Sequence, residues 1–229
     1  MDQNRHSVFV TGGTGYLGRP LITALLERGH TVRALIREQS RNKLPPGCLA
    51  IPGNALDGNT YATQIRPADT FVQLVGVARP SPAKAAQFRN VDLVSASAAI
   101  RAALAAGIRH FVYLSVAQPA PMMKAYVRVR AECETMIRQS GLNSTMLRPW
   151  YVLGPEHRWP YALLPMYWLL ERLPWTRHGA RRLGLVTLEQ MKLALVEAVE
   201  NPGPGIRIIE VPQIRASAAS LAVAVQSIR

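Results

Sequence analysis

The chain has 229 residues, of which 48% are hydrophobic, and a formal net charge of +13. This hydrophobic fraction excludes a disordered chain, and the length suits one substantial core with at most a small appendage. The basic residues are dispersed along the chain rather than grouped on a helix with interleaved aromatics, so we expect a solvated basic surface and no specific nucleic-acid partner.

Cysteine content and apolar segments limit the remaining classes of protein. The two cysteines, Cys48 and Cys133, lack CxxC or Cys/His ligand spacing, so we expect no disulfide framework and no metal site. The longest apolar stretch, residues 161–170, contains a proline and is shorter than the roughly 18 residues that a membrane span needs. The N-terminus resembles no signal segment, so we expect a cytoplasmic protein.

The first predicted elements are a strand, a tight turn and a helix. Ser7–Val10 is a short β-rich run, the turn TGGTG follows it, and Tyr16–Arg28 carries apolar residues at helical spacing. Gly29 ends that helix, and Thr31–Ile36 is a second apolar, β-branched run. Together they predict a βαβ unit of about 30 residues.

The rest of the chain alternates between predicted strands and helices. This alternation predicts a doubly wound parallel α/β sheet, because right-handed crossovers place helices on both faces. We expect one domain over residues 1–229, in which residues 155–229 form a small cap on the substrate side. The predicted elements are strands at Cys48–Ile51, Thr70–Val77, Phe111–Val116, Ser144–Leu153, Leu183–Val186 and Ile206–Val211, helices at Val91–Ala106, Met122–Gln139 and Leu188–Glu200, and a closing amphipathic helix.

Glycines in the first turn point to a ligand. Gly13, Gly15 and Gly18 satisfy the pattern G-x-G-x-x-G, and Gly12 with Gly15 and Gly18 satisfies G-x-x-G-x-x-G. Between a strand and a helix, such glycines let backbone N–H groups and the helix N-terminus approach a pyrophosphate. The sequence therefore predicts a bound nicotinamide dinucleotide. The candidate cofactor-binding residues of this turn are Gly12, Thr14, Gly15, Tyr16, Leu17 and Gly18.

Arg37 bears on the choice between the two nicotinamide dinucleotides. An acidic residue about 20 positions beyond the glycines binds the ribose 2′-hydroxyl of NAD, whereas an arginine there accommodates the 2′-phosphate of NADP. Arg37 occupies this position, with Arg33 on the same predicted strand. We therefore expect NADP, with NAD as the alternative because Glu38 is adjacent. A solvated strand end with no ligand role also remains open.

Several segments together resemble the short-chain dehydrogenase/reductase superfamily. They are TGGTGYLG, VRALIR, GNALD, and HFVYLSV with the tyrosine-bearing helix after it. The likeness is to the extended or atypical branch, NAD(P)-dependent epimerase/dehydratase-like and NmrA-like, and covers roughly residues 7–155. It implies a Rossmann-like fold and an oxidoreductase or epimerase/dehydratase acting on a carbonyl or hydroxyl group of a small-molecule substrate.

The resemblance also implies three catalytic positions. The family pairs a strand-end serine with a Y-x-x-x-K motif, and the matching residues are Ser115, Tyr126 and Arg130, so an arginine stands where the family has lysine. In the family the tyrosine is the general acid/base, the serine holds the reacting oxygen, and the lysine binds ribose and lowers the pKa of the tyrosine. Alternatives remain open: Arg130 pairing with Glu134, Ser115 bonding the backbone, and Tyr126 as a helix-surface aromatic.

Further cofactor residues follow from the same resemblance. Asn54 stands where the family has an aspartate near the adenine, although a turn-forming role suits it nearly as well. Gly76 and Val77 end a predicted strand at the cofactor edge, and Pro149 and Val152 belong to the stretch beside the nicotinamide. Tyr126 and Arg130 are expected to contact the cofactor as well as the substrate.

The aromatic segment at residues 159–175 has four possible roles: a mobile cap over an apolar pocket, which we favour, a dimer face, a peripheral membrane contact, or core packing.

Two functions compete for the whole protein. One is an NADP-dependent enzyme; the other is a non-catalytic NADP(H)-binding redox sensor or assembly factor with a protein or membrane partner. The arginine in the lysine position and the basic charge favour the second, whereas the presence of Tyr126 and Ser115 opposes it.

Overall fold

The computed structural model of the protein describes residues 5–154, 179 and 182–217. Its strands lie where the βαβ alternation predicts them. The strands are β1 (Ser7–Thr11), β2 (Thr31–Ile36), β3 (Leu49–Pro52), β4 (Thr70–Gln73), β5 (His110–Leu114), β6 (Ser144–Arg148), β7 (Tyr151–Leu153), β8 (Leu185–Thr187) and β9 (Ile206–Glu210). The helices are α1 (Gly18–Glu27), α2 (Ala85–Gln87), α3 (Val94–Ala106), α4 (Lys124–Ser140) and α5 (Leu188–Glu200).

Seven of the strands form one parallel sheet in the order β3-β2-β1-β4-β5-β6-β9. This order confirms the predicted doubly wound α/β class. The chain leaves β1 toward β2 and β3 on one side and returns through β4 on the other, so the strand order reverses between β1 and β4. Ligands of such sheets bind in the crevice beyond the carboxyl ends of the strands at this reversal. Strands β7 and β8 pair as a separate two-stranded parallel sheet.

Two hydrophobic layers hold the helices against the sheet. On one face, Phe9, Phe71 and Phe111 stand on three adjacent strands with neighbouring ring centroids 5.3 Å apart, and this layer packs against α3 and α4. On the other face, alternate residues such as Val8 and Val10 pack against α1 and α5. The period-2 alternation of the strands thus supplies both layers.

Some element bounds differ from the prediction. Strand β2 and helix α5 match it, but β4 ends at Gln73 rather than Val77. Its apolar sequence continues past the point where hydrogen-bonded pairing stops. The helix predicted from Val91 begins as a π-helical turn, Phe88–Leu93, before α3.

Other predictions fall largely outside the described residues. They concern the aromatic segment at residues 159–175, about half of the predicted cap at residues 155–229, and most of the closing amphipathic helix. Of the described half, β9 belongs to the seven-stranded sheet. Among the helices that are described, none is both long enough and apolar enough to cross a membrane.

Candidate active site

The glycine turn after β1 is closed by backbone contacts. Gly12 has a φ of +76°, and a Cβ on it would lie 3.0 Å from the Leu74 carbonyl carbon. A Cβ on Gly18 would lie 2.3 Å from the Gly12 carbonyl oxygen, and the Gly15 N–H donates to that same oxygen at 3.0 Å. A side chain at either position would therefore push apart the strand, the turn and the start of α1. This is the close packing that a pyrophosphate-binding turn requires.

A cavity of about 550 Å³ opens beside this turn. Its volume lies in the range of small-molecule sites, and it borders the carboxyl ends of β1, β2, β3 and β4. The predicted cofactor residues that line it are Gly12, Thr14, Gly15, Arg37, Asn54 and Gly76. The remaining predicted site residues do not line this cavity; they are Tyr16, Leu17, Gly18, Val77, Ser115, Tyr126, Arg130, Pro149 and Val152.

The rim of the cavity at the end of β2 carries exposed charge. Arg37 follows β2 directly and is exposed. Arg33 does not reinforce it, because its guanidinium donates to the carbonyls of Gln64 and Arg66 at 3.1 and 2.8 Å. Glu38 lies 4.0 Å from Arg41 in an exposed ion pair. Arg37 is thus the basic side chain that forms part of the cavity wall.

Asn54 both forms a turn and lines the cavity. Its Oδ1 accepts a hydrogen bond from the Leu56 N–H at 3.0 Å, which is the turn-forming arrangement. The same residue lines the cavity after β3.

Arg130 is buried on α4 and bound on several sides. Its Nη2 lies 2.6 Å from Asp92 Oδ1, with side-chain exposures of 3% for Arg130 and 0% for Asp92. Its Nη1 donates to the Leu114 carbonyl at 2.7 Å and to the Tyr113 hydroxyl at 3.2 Å. Arg130 does not form the alternative ion pair with Glu134; its ionic partner is Asp92. The guanidinium instead joins α4 to the end of β5 and to the π-helical turn.

Arg130 lies against Gly76, one of the residues that line the cavity. Its Nη2 lies 2.1 Å from the point where a Cβ on Gly76 would be, so a side chain at Gly76 would displace the guanidinium. The next N–H group, that of Val77, donates to Asp92 Oδ2 at 3.1 Å. The loop after β4 is therefore fixed by the same carboxylate that pairs with Arg130.

Tyr126 lies one turn before Arg130 on the same face of α4. Its half-buried ring contacts Phe88, with the centroids 5.0 Å apart, and the Arg130 guanidinium carbon lies 5.2 Å from the ring centroid. Burial raises the pKa of the Tyr126 phenol; Arg130 opposes that rise and Asp92 adds to it.

The hydroxyl of Ser115 donates a hydrogen bond to a carboxylate. It follows β5 and is 3% exposed, and its hydroxyl donates to Glu134 Oε1 at 2.6 Å. The partner of the hydroxyl is thus a side chain on α4 rather than the backbone. In this arrangement the Ser115 oxygen can still accept a hydrogen bond from another donor through its lone pairs.

Three charged residues beside Ser115 and Arg130 were not predicted as site residues: Asp92, Arg148, and Glu134, which the sequence suggested only as a partner of Arg130. Arg148 binds Glu134 through Nε and Nη2, at 2.9 and 2.5 Å. One signal was available for Glu134, because it falls on the buried face of α4 at helical spacing from Tyr126 and Arg130. Asp92 carried a weaker signal as the acidic residue beside an otherwise apolar helix start.

The segment after β6 is tied to the segment after β5, since the Pro149 carbonyl accepts the Ala117 N–H at 2.9 Å. Val152 lies in β7 and packs against the α1/α5 layer.

Comparison with known proteins identifies the family. Residues 12–162 match the NAD(P)H-binding family. The chain belongs to this family. A 3-diazoavenalumate denitrifying reductase from a Streptomyces species is 30% identical over 227 residues, covering 86% of this chain and 73% of that protein. The match to the NAD(P)H-binding family confirms the predicted resemblance to NAD(P)-dependent proteins and the expectation of a nicotinamide dinucleotide.

Two further proteins are similar to this chain, one in sequence over part of its length and one in fold. Photosystem II assembly factor Ycf39 from a Synechocystis species is 29% identical over 144 residues, which cover 62% of this chain and 43% of that protein. The Bordetella bronchiseptica enzyme WbmH, whose structure was solved with NAD+, aligns with a TM-score of 0.67 at 22% identity over 90% of this chain and 75% of that one. The WbmH likeness confirms the Rossmann-like fold.

Proposed function

We propose that this NAD(P)H-binding protein is an NADP-dependent oxidoreductase acting on a carbonyl or hydroxyl group of a small molecule. The cavity beside the glycine turn carries the proposal, because its walls combine the pyrophosphate-binding turn with Arg37. The denitrifying reductase, similar over most of this chain, supports a redox reaction. When bound, the nicotinamide ring supplies or accepts a hydride in this class of reaction.

The proposed choice of NADP rests on Arg37. A guanidinium on the cavity wall forms charge-assisted hydrogen bonds to a 2′-phosphate and has no comparable partner in NAD. We expect NADPH to bind at least about tenfold more tightly than NADH, and Arg37→Ala to remove this preference while leaving NADH binding unchanged. Fluorescence titration of the reduced nicotinamide measures both affinities. Tighter binding of NADH by the unaltered protein would refute the choice of NADP.

The proposed chemical roles fall to residues on α4 and after β5. Tyr126 exchanges a proton with the reacting substrate oxygen. Ser115, whose own proton is directed at Glu134, accepts a hydrogen bond from a donor in the site. Arg130 packs against the Tyr126 ring and Gly76, and so keeps the tyrosine beside the cavity wall.

Replacement of Tyr126 tests these roles. Incubation with NADPH and a panel of carbonyl compounds should show oxidation of the cofactor, and Tyr126→Phe should lower kcat at least about a hundredfold because the proton donor is lost. Tyr61→Phe is the matched control, since Tyr61 is fully buried against Phe9 and does not line the cavity, and it should retain full activity. Turnover that survives Tyr126→Phe would remove this residue from the mechanism.

A second function, a non-catalytic redox sensor or assembly factor, is favoured by two observations. Ycf39 is an assembly factor and is similar over part of this chain, and the charge of Arg130 is already paired with Asp92. Such a protein must bind NADPH and NADP+ with different affinities, because a ligand that binds two states equally shifts neither. Unequal affinities without turnover would support it, and equal affinities would exclude it. The proposed membrane or protein contact through residues 159–175 lies outside the described part of the chain.

A further inference from the structure

Asp92 and Arg130 form a buried ion pair directly behind the proposed site. Their atoms Oδ1 and Nη2 are 2.6 Å apart, and both side chains are almost fully excluded from solvent. Asp92 lies on the π-helical turn Phe88–Leu93, and π-helical turns occur frequently at functional sites.

The ion pair has a definite position relative to Tyr126. The guanidinium of Arg130 lies over the tyrosine ring at 5.2 Å from its centroid, while the carboxylate of Asp92 binds the guanidinium and the Val77 N–H. Tyr126 therefore faces a paired cation with its counter-ion, whereas the lysine implied by the resemblance acts as a cation on the tyrosine.

We propose that Asp92 is a positioning residue that fixes and neutralises Arg130 beside Tyr126, so that Tyr126 keeps its proton and serves as a proton donor to a substrate oxygen. The inference rests on the proposed function for its substrate. Its electrostatic part concerns this chain alone.

The charges of Arg130 and Asp92 act on the phenol of Tyr126 in opposite directions. In a buried environment a lone guanidinium would strongly favour the phenolate, but a carboxylate 2.6 Å from that guanidinium cancels much of its field. The groups that bear on Tyr126 are Arg130 and Cys133 from α4 and Asp92 from the π-helical turn. Burial is the largest influence on the pKa of Tyr126 and raises it; Arg130, the next largest, lowers it, and Asp92 raises it.

A protonated Tyr126 suits reduction of a carbonyl. A bound reduced dinucleotide would supply the hydride to the carbonyl carbon and would itself be oxidised, and Tyr126 would give its phenol proton to the carbonyl oxygen, whose π pair forms the new O–H bond. The phenolate that remains recovers a proton from solvent, so charge and atoms balance. Oxidation of an alcohol, the opposite direction, needs Tyr126 as a phenolate at the start. An ion pair with no net charge does not favour the phenolate.

Carbon-13 labelling of the tyrosine Cζ atoms tests the electrostatic part without cofactor. The Tyr126 signal is the one lost in Tyr126→Phe, and its chemical shift follows ionisation of the phenol. We expect Tyr126 to titrate above the ordinary range of tyrosine, and Asp92→Asn to lower its midpoint by at least about one pH unit, a tenfold change in proton affinity. Glu132→Gln is the matched control on α4, because Glu132 forms an exposed ion pair with Arg89, and it should leave the midpoint unchanged.

Two results would overturn the inference: a Tyr126 midpoint below that of ordinary tyrosine, or an unchanged midpoint in folded Asp92→Asn protein. If Asp92→Asn does not fold because Arg130 is left buried and unpaired, the double variant Asp92→Asn with Arg130→Met replaces it. Its Tyr126 midpoint should equal that of the unaltered protein, since both charges are removed together, and a clear rise would overturn the inference. Failure of NADPH binding or of the Tyr126→Phe test would contradict only the proposed function.

Discussion

Glu134 concentrates hydrogen bonds on one buried carboxylate. It is 2% exposed and accepts from the Ser115 hydroxyl, from Gln118 and from two nitrogens of Arg148. Arg148 in turn reaches Glu210 at the end of β9 at 3.2 Å. This single residue therefore connects the serine after β5 with β6 and β9, and its loss should affect both stability and the site.

We expect Glu134→Gln to lower the free energy of unfolding by about 3 kcal/mol, because the buried carboxylate is lost and Arg148 keeps only the more exposed Glu210 as a charged partner. Urea unfolding measures this change. Glu132→Gln should cost less than about 1 kcal/mol, since its pair with Arg89 is exposed. Equal losses in the two variants would show that burial of the Glu134 network contributes nothing.

Elements with regular periodicity were predictable from the sequence, and those that depend on distant partners were not. The bounds of β2 and α5 follow from local pattern alone, and α5 begins with a capping box between Thr187 and Gln190. The early end of β4 did not follow from the local pattern, because Leu74 to Val77 remain apolar where the chain leaves the sheet. The partner of Arg130 could not be predicted either, since Asp92 meets it only when the π-helical turn packs on α4.

The junction of β1 and α1 gives a prediction about the proposed pyrophosphate-binding turn. A Cβ on Gly18 would lie 2.3 Å from the Gly12 carbonyl oxygen and 2.6 Å from the Gly13 Cα, both of which are backbone atoms. We expect Gly18→Ala to open the turn and weaken NADPH binding at least about tenfold, as measured by fluorescence titration. Gly203→Ala is the control, because a Cβ there meets nothing within 4 Å. Unweakened binding by Gly18→Ala would show that the turn is not the pyrophosphate site.

At the scale of the whole molecule, a buried histidine lies at the amino ends of the strands, opposite the proposed cofactor site. His110 begins β5, is 1% exposed, and lies 3.0 Å from the Thr145 hydroxyl. Burial, followed by the nearby charges of Arg207 and His6, lowers its pKa from 6.5 to about 4. The folded protein thus holds this imidazole neutral at pH values where the unfolded chain would protonate it.

This difference predicts how global stability depends on pH. Because the pKa is lower in the folded state, the stabilisation is complete above 6.5 and is lost as the pH falls toward about 4. The loss should reach about 3 kcal/mol, and His110→Gln should show a shallower decline over this range in urea unfolding. Thr145→Val removes the hydrogen-bond partner without removing a titrating group, so it should keep the full slope. A His110→Gln curve parallel to that of the unaltered protein would contradict the argument.

The contact of Arg130 with Gly76 has an evolutionary consequence. The guanidinium uses one nitrogen for the Leu114 carbonyl and the Tyr113 hydroxyl and the other for Asp92, and it occupies the space that only glycine leaves open at position 76. A lysine ends in a single ammonium that cannot span these partners in the same geometry. The single substitution Arg130→Lys would therefore lose several contacts at once. We expect Asp92 and Arg130 to change together among relatives of this protein.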